Sequence, residues 1–273
     1  MYERILVTLD GSSYSEEIMA YAAGLAAAQG SALTLLRVVD KAADAPEAEA
    51  YLQRLAAAHG AQGECVVAPG DVATAILAHA RQVPGTLVAI TSHGRSGLLL
   101  PMLGSVALNV VRGSGGEPVL VYRPTGQAQV GAAALKVRSV VLPLDGTELS
   151  EAMIPQACEL AKRIGAELEI VGVVDPRQFS GSDMPHSNDM KGLESGYVRN
   201  QARTLSERYQ VPADWEVLHG EPAEAITGYI SGRRDVILAM ATRGRTPLKT
   251  ALLGSVTAGC LRAAGVPVLM RAP

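Results

Sequence analysis

The sequence predicts an α/β fold in which a doubly wound, five-stranded parallel sheet with helices on both faces occurs twice in tandem. Apolar runs of strand length alternate with segments of helical periodicity, and this order repeats within the 273 residues. Each copy also carries a glycine-rich turn after its fourth apolar run. Strands that alternate with helices favour a parallel sheet with both faces covered. Such sheets bind ligands beyond the carboxyl ends of their strands, where the strand order reverses.

The first copy takes residues 1–124 and begins with an apolar run that ends in an acid, Asp10. Ser13 and Glu16 have the spacing of a capping box and predict a helix that continues to Gly30. Apolar periodicity predicts the remaining elements in the same way. Strands are predicted at 5–10, 33–39, 65–67, 87–90 and 118–122, and helices at 13–30, 46–59, 71–80 and 105–113.

The second copy takes residues 137–273 and follows a small, polar segment, 125–136, which is typical of a linker. The copies align at an offset of 135 residues through their second strand and at an offset of 150 residues from the glycine after the third strand onward. The second copy therefore carries 15 additional residues. They fall in 176–192, whose Ser, Gly, Asp, Pro and Asn content predicts an irregular loop.

The composition argues against some classes of partner. A formal net charge of −3 and a pI near 6.0 disfavour nucleic-acid binding through phosphates. No apolar run approaches the roughly 18 residues of a membrane span, so no membrane partner and a cytoplasmic location are expected. Cys65, Cys158 and Cys260 form no C-x-x-C pair and are expected to be reduced core residues.

The two glycine-rich turns occupy 91–106 and 241–256, and each lies between an apolar run and a helix start. They contain Gly104-Ser105 and Gly254-Ser255 near their ends. Backbone N–H groups that converge near a helix N-terminus attract anions, so both turns are predicted to hold the phosphates of a nucleotide. The alternative is a tight strand-to-helix turn without a ligand.

The spacing Gly-x2-Gly-x9-Gly-(Ser/Thr), behind a first strand ending in Asp and before a last Pro-Val-Leu-Val strand, resembles the universal stress protein family in its tandem two-domain form. The resemblance covers nearly the whole chain and implies an adenine nucleotide α-hydrolase-like, Rossmann-like fold in each copy. It implies a stress-response regulatory protein that binds ATP. The family's first glycine is replaced by Thr91 and Ala241. The replacement weakens the site if the position requires a positive φ and has no effect if the position is extended.

The resemblance also implies which residues contact the nucleotide. Leu9 and Asp10 would lie along the adenine and ribose, with Asp10, or Asp145 in the second copy, reaching Mg²⁺ through water. The valines would give backbone contacts to adenine, the glycines would let the backbone approach the phosphates, the serines would donate hydroxyl and N–H groups, and the arginines would screen phosphate charge. The implied set is Leu9, Asp10, Val39, Gly94, Arg95, Gly97, Gly104, Ser105 and Val106 in the first copy, and Leu144, Asp145, Val174, Gly244, Arg245, Gly254, Ser255 and Val256 in the second.

Structural alternatives exist for some of these residues. Asp10 and Asp145 have an equally direct interpretation as caps of the following helices. Ser92 and His93 are adjacent on an extended segment, so their side chains are expected to point to opposite sides, which disfavours a nucleophile and base.

Three functions fit the sequence: a regulatory protein that binds ATP with little or no hydrolysis, a nucleotide-free scaffold that binds partner proteins, and an enzyme that uses ATP. The enzyme is disfavoured because the sequence lacks G-x-x-x-x-G-K-[ST] and G-x-G-x-x-G and shows no positioned base. The last strands, 118–122 and 267–271, are predicted to pair within the chain about a pseudo-twofold axis, and a homodimer is a further alternative.

Overall fold

The computed structural model describes residues 2–93, 103–126, 133–175, 177, 187–242, 253–263 and 265–272, with the backbone alone for 187–194. The chain divides into two units. The first unit contains Met1–Lys136 and Pro267–Ala272, and the second contains Val137–Val266. The α/β fold with parallel strands and helices that the sequence predicts is confirmed in both units.

Five strands of the first unit form a parallel sheet: β1 (Arg4–Thr8), β2 (Ala32–Val39), β3 (Gln62–Val67), β4 (Thr86–Thr91) and β5 (Val119–Tyr122). Their order is β3-β2-β1-β4-β5, so the direction in which strands are added reverses between β1 and β4. The carboxyl ends of β1 and β4 therefore lie side by side. This is the position at which doubly wound sheets bind ligands.

The helices of the first unit are α1 (Ser13–Glu16), α2 (Met19–Gln29), α3 (Ala45–His59), α4 (Val72–Arg81) and α5 (Ser105–Gly113). Gly30 and Gly60 end α2 and α3 with φ of 66° and 62°, a left-handed conformation that glycine adopts without steric cost. Asp71 caps α4 by accepting hydrogen bonds from the N–H groups of Ala73 and Thr74. Glycines at the C-terminal ends and a capping side chain at an N-terminal end thus set these helix boundaries.

The second unit repeats this arrangement with the parallel strands β6 (Ser139–Pro143), β7 (Glu167–Val174), β8 (Ala213–His219) and β9 (Val236–Ala241) in the order β8-β7-β6-β9. Its helices are α6 (Glu148–Glu151), α7 (Ile154–Ile164), α8 (Ser187–Tyr209), α9 (Pro222–Tyr229) and α10 (Ser255–Ala263). The chain's last strand, β10 (Val268–Arg271), is part of the first unit.

Several boundaries differ from the sequence-based expectation. Among the strands, β1 ends at Thr8 rather than at Asp10, and β3 begins at Gln62 rather than at Cys65. The helix predicted at 13–30 is two helices, α1 and α2, and its cap is Ser12, whose hydroxyl accepts from the Ser15 N–H, rather than Ser13. The loop predicted at 176–192 is shorter than expected, because α8 begins at Ser187. Residues 178–186 lie outside the described part of the chain.

The first unit holds both ends of the linker. The Glu17 carboxylate accepts hydrogen bonds from the N–H groups of Thr125 and Gly126, at 2.6 and 2.8 Å. At the other end, the Leu135 N–H donates to the Ala20 carbonyl of α2 at 2.8 Å. Residues 125–126 and 135 of the predicted linker are therefore hydrogen-bonded to the region of α1 and α2.

The antiparallel neighbour of β5 is β10, in the register Val268↔Val121. The Arg271 guanidinium reinforces this edge by donating from Nε to the Gly116 carbonyl at 2.8 Å. The edge of β5 that faces away from β4 is therefore covered by the C-terminal strand.

A chain that ends at Pro124 keeps β1–β5 but lacks β10, so the backbone groups of β5 lose their partners along one edge. We expect this shortened chain to dimerise by antiparallel pairing of two β5 strands, because bare sheet edges pair readily. Sedimentation velocity over a concentration series measures this. A shortened chain that folds and remains monomeric at high concentration would contradict the expectation.

The described helices include none that is both long and apolar enough to cross a lipid bilayer. All three cysteines are unpaired, with Cys158 and Cys260 buried and Cys65 half-buried. Burial raises the pKa of Cys158 and of Cys260 to about 12. These two thiols are therefore protonated core groups.

Candidate functional site

The turn after β1 is held by the side chain of Asp10. Its Oδ1 accepts hydrogen bonds from the Ser12 N–H at 2.9 Å and from the Ser12 hydroxyl at 2.6 Å. Ser12 in turn caps α1. The Ser15 hydroxyl lies 3.3 Å from the Asp10 N–H and accepts from it. Asp10 thus orients the cap residue instead of capping the helix itself, and Leu9 before it is buried.

The second copy has the same turn. Asp145 Oδ1 accepts from the Thr147 N–H at 3.1 Å and from the Thr147 hydroxyl at 2.6 Å, and Thr147 caps α6. The Ser150 hydroxyl accepts from the Asp145 N–H at 3.3 Å. The shared pattern is Asp-Gly-(Ser/Thr)-x-x-Ser, which a comparison of the two copies at their offset of 135 residues could have revealed. Leu144 is buried like Leu9.

Val39 and Val174 end β2 and β7 at the same edge of their sheets. The Val39 carbonyl accepts from the Ala68 N–H at 2.9 Å, and the Val174 carbonyl accepts from the Gly220 N–H at 3.1 Å. The chain after the third strand of each copy is thereby fixed beside the second strand. These two backbone positions are equivalent in the two copies.

The far end of each glycine turn closes back onto the strand that precedes it. The Gly104 N–H donates to the Ser92 carbonyl at 2.8 Å, and the Gly254 N–H donates to the Thr242 carbonyl at 2.5 Å. Gly104 has φ −59° and ψ 157°, so it needs no left-handed backbone. A Cβ on Gly104 would lie 3.0 Å from the Ser92 oxygen, which explains a glycine here by close approach.

Each closed turn delivers a serine to the first position of a helix. Ser105 begins α5 and Ser255 begins α10, and both are exposed, with Val106 and Val256 partly exposed behind them. The first N–H groups of a helix have no intrahelical acceptor and carry partial positive charge. The structure therefore places a helix N-terminus directly after the strand-end turn in both copies.

The two replaced glycines do not strain the backbone. Thr91 and Ala241 are the last residues of β4 and β9. Among the described residues, Gln210 is the single residue other than glycine with a positive φ. The position is therefore extended, and a side chain there has no conformational cost.

Five of the predicted contacts lie outside the described residues. They are Gly94, Arg95, Gly97, Gly244 and Arg245. In each copy, the predicted contact residues that the structure describes lie at or just after the ends of the first and second strands and at the start of the fifth helix.

The expectation that the Ser92 and His93 side chains point apart is wrong. Ser92 Oγ lies 3.0 Å from His93 Nδ1. Both residues are buried, with 1% and 4% of their surface exposed. Burial of both groups argues against a nucleophile that meets a substrate at the surface.

A doubly wound α/β unit that occurs twice, with each glycine turn closed onto the fourth strand, defines the chain as a tandem protein of the Rossmann-like class. The model of the universal stress protein family matches residues 1–123 and 136–271. The chain belongs to this family, as its motif spacing predicted.

Individual relatives agree with this assignment. Universal stress protein MJ0531 of Methanocaldococcus jannaschii is 28% identical over 137 residues, which cover 49% of this chain and 81% of the relative. Universal stress protein YxiE of Bacillus subtilis is 30% identical over 149 residues, covering 45% of this chain and 100% of the relative. The crystal structure of a universal stress protein from Archaeoglobus fulgidus has a TM-score of 0.69 at 20% identity, covering 99% of this chain and 98% of that chain, a likeness of fold.

Proposed function

We propose that this universal stress protein is a regulatory module of the stress response that binds ATP, with Mg²⁺, and hydrolyses it slowly or not at all. The observation that carries the proposal is the duplicated turn in which Gly104 and Gly254 close onto a strand end and present Ser105 and Ser255 at a helix start. Unsatisfied N–H groups and the helix dipole at such a start favour a phosphate.

The acid that follows the first strand of each copy supports a nucleotide rather than a free phosphate. Asp10 and Asp145 each follow a buried leucine at the carboxyl end of the first strand, next to the fourth strand in the sheet order. In this proposal these residues and the valines lie along the adenine and ribose, and Mg²⁺ is reached through water. The proposed contacts in each copy thus come from three separate elements.

The regulatory role follows from what phosphoryl transfer requires. Transfer depends on a positioned base or water-orienting group and on cations that neutralise developing charge. Asp10 Oδ1 and Asp145 Oδ1 already accept two hydrogen bonds each within their turns. A carboxylate committed in this way is a poor general base, which favours binding without rapid turnover.

Ser105→Asp tests the first site and Ser255→Asp tests the second. An acid at the first position of a helix interacts favourably with the dipole, so the thermal stability of the protein stays equal or rises. The same acid repels the phosphates of a nucleotide, so the affinity for Mg-ATP falls at least tenfold, which is about 1.4 kcal/mol. Calorimetric titration of the nucleotide-stripped protein measures affinity and stoichiometry together.

The pattern of loss identifies the working copy. If one variant alone abolishes binding, that copy holds the nucleotide; if each removes half of the stoichiometry, both copies bind. Ser105→Ala and Ser255→Ala serve as matched controls, because they remove the hydroxyl without adding charge and should weaken binding less. No heat and no thermal stabilisation of the unsubstituted protein at millimolar Mg-ATP would overturn the proposal and leave the partner-binding scaffold.

A further inference from the structure

The first unit contains a second feature suited to a ligand, a cleft of about 350 Å³ between α1, β2 and α3. Its volume is in the lower part of the range for small-molecule sites. Four charged side chains and one aromatic ring line it: Glu16, Arg37, Glu47, Tyr51 and Arg54. None of the residues predicted to contact ATP is among its lining residues. Gly11, the residue after Asp10, does line it, so the cleft lies beside the proposed ribose contact without including it.

Arg37 is the unusual member of this group. It lies on β2 with only 9% of its surface exposed, and its guanidinium carbon is 5.3 Å from the centre of the Tyr51 ring. Throughout the described part of the chain, no carboxylate, carbonyl or hydroxyl oxygen accepts a hydrogen bond from it. No nitrogen of Arg37 is both enclosed by protein and without a partner, so its guanidinium donors open into the cleft. They are therefore available to an acceptor on a bound molecule, while the aromatic face holds the guanidinium from one side.

The surroundings of Arg37 are fixed in place. The Tyr51 hydroxyl donates to Glu16 Oε1 at 2.9 Å, which holds the ring under the guanidinium. Burial, followed by the neighbouring Glu16 charge, raises the pKa of Tyr51 well above its ordinary value, so the hydroxyl stays protonated. Arg54 approaches the same ring, with its guanidinium carbon 5.6 Å from the centre. Two cations thus converge on one rigid aromatic platform.

The second unit provides a natural comparison. Its Tyr197 hydroxyl donates to Glu151 Oε1 at 2.7 Å, the same pair as Tyr51 and Glu16. However, Gly172 occupies the position equivalent to Arg37, and Asn200 follows Tyr197 at the spacing at which Arg54 follows Tyr51. The tyrosine–glutamate pair therefore forms without either arginine. Holding the tyrosine does not explain why the first unit buries Arg37.

We propose that this cleft binds a small molecule through an oxyanion group, a phosphoryl or a carboxylate, that accepts hydrogen bonds from Arg37 and Arg54. The planar guanidinium fork fits both groups in a bidentate manner. Glu47 at the cleft would accept from a hydroxyl or amino group on the same molecule, which favours a small polar metabolite over a bare polyanion. The proposal is independent of ATP binding at the glycine turns.

The reactivity of the Cys65 thiol reports on the charge at Arg37. The two residues are register partners in β3 and β2, and Cys65 is half-buried whereas the other two thiols are buried. Burial raises the pKa of the Cys65 thiol, Glu49 raises it further, and the Arg37 charge opposes both. An anion bound to Arg37 cancels that opposing charge. Alkylation of Cys65 at a fixed pH of about 8 should then slow, because the thiolate is the reactive species.

The experiment measures the rate of Cys65 alkylation by mass spectrometry in rising concentrations of inorganic phosphate, with ionic strength held constant by chloride. We expect a slowing of roughly threefold or more, half-complete at about millimolar phosphate. Acetate replaces phosphate in a parallel series, and a response to one alone assigns the oxyanion as phosphoryl or carboxylate. Arg37→Met should show slow alkylation that no longer depends on the anion. Arg54→Met, on the exposed face of α3, should raise the half-effective concentration about tenfold.

Controls separate this cleft from the glycine turns and from general charge effects. The anion response should persist in Ser105→Asp, which disrupts only the proposed ATP site. It should also persist in Arg199→Met, which removes an exposed arginine from α8, the helix that carries Tyr197. An unchanged Cys65 rate in the unsubstituted protein up to roughly 10 mM phosphate and acetate, or an equal response in Arg54→Met, would overturn the proposal.

Discussion

Arg233→Met lowers the free energy of unfolding of the second unit by about 3 kcal/mol, because it leaves the carboxylate of Glu169 buried without its main partner. Glu169 lies within β7 and is 8% exposed. Arg233 donates to it through both terminal nitrogens, at 2.6 and 2.8 Å. The Tyr229 hydroxyl donates to the same carboxylate at 2.8 Å. The arginine also reaches Ser139 on β6, so the network joins two strands to the segment after α9.

Trp215, the sole tryptophan of the chain, reports on this unit. It lies on β8 and is the register partner of Ile170, the residue after Glu169. Urea unfolding followed by its fluorescence therefore measures the second unit directly. The matched control is Glu169→Leu combined with Arg233→Met, in which the buried charge is removed together with its partner. We expect the double variant to recover most of the lost stability, and a double variant as unstable as Arg233→Met would show that the deficit arises from lost packing.

The same network makes stability depend on pH with a defined sign. Burial raises the pKa of Glu169, but hydrogen bonds from Arg233, Ser139 and Tyr229 outweigh it and hold the pKa below its ordinary value of 4.5. A carboxylate with a lowered folded-state pKa contributes stability above about pH 4.5 and loses that contribution as the pH falls through the folded-state value. The difference in the free energy of unfolding between the unsubstituted protein and Arg233→Met should therefore be largest at neutral pH and decrease as the pH falls below about 4.5.

The backbone of this protein could largely be predicted from its sequence, because its signals are local. Apolar runs such as Leu87–Ile90 give buried parallel strands, and glycines such as Gly30 and Gly60 end helices where the chain must turn left-handed. The duplication adds a second, independent copy of each signal. The closed turns at Gly104 and Gly254 therefore follow from spacing that occurs twice.

Side-chain networks could not be predicted, because their members are far apart in sequence. Glu169 is, with Glu167, one of two acids in an otherwise apolar run, and its partner Arg233 follows 64 residues later. The equivalent position in the first copy is Thr34, so the repeat gives no hint of a charge. In the same way, the apolar sequence of β2 gives no indication of what the Arg37 side chain contacts. Predicting either site requires knowing which helix packs on which strand.

Gly24→Ala destabilises the first unit by about 2 kcal/mol, although the same change in an open helix stabilises. Gly24 is an interior residue of α2, and a Cβ placed there would overlap the carbonyl oxygen of Leu135 and lie 2.8 Å from its carbonyl carbon. The Leu135 N–H donates to Ala20, one turn earlier on the same helix. The linker backbone therefore crosses α2 at the one position where the absence of a side chain permits contact.

Gly196→Ala is the matched control, because Gly196 is an interior residue of α8 and a Cβ there meets nothing within 4 Å. It should gain up to about 1 kcal/mol, the ordinary helical preference of alanine over glycine. Circular dichroism follows the unfolding of both units, whereas Trp215 fluorescence follows that of the second unit alone. The loss of stability in Gly24→Ala should therefore appear in circular dichroism and not in Trp215 fluorescence. Linker cleavage by a protease should also accelerate in Gly24→Ala, because the displaced segment becomes accessible. If Gly24→Ala instead stabilises as Gly196→Ala does, the linker does not rest on α2 in solution, and the hydrogen bonds to Glu17 would be its sole attachment among those described.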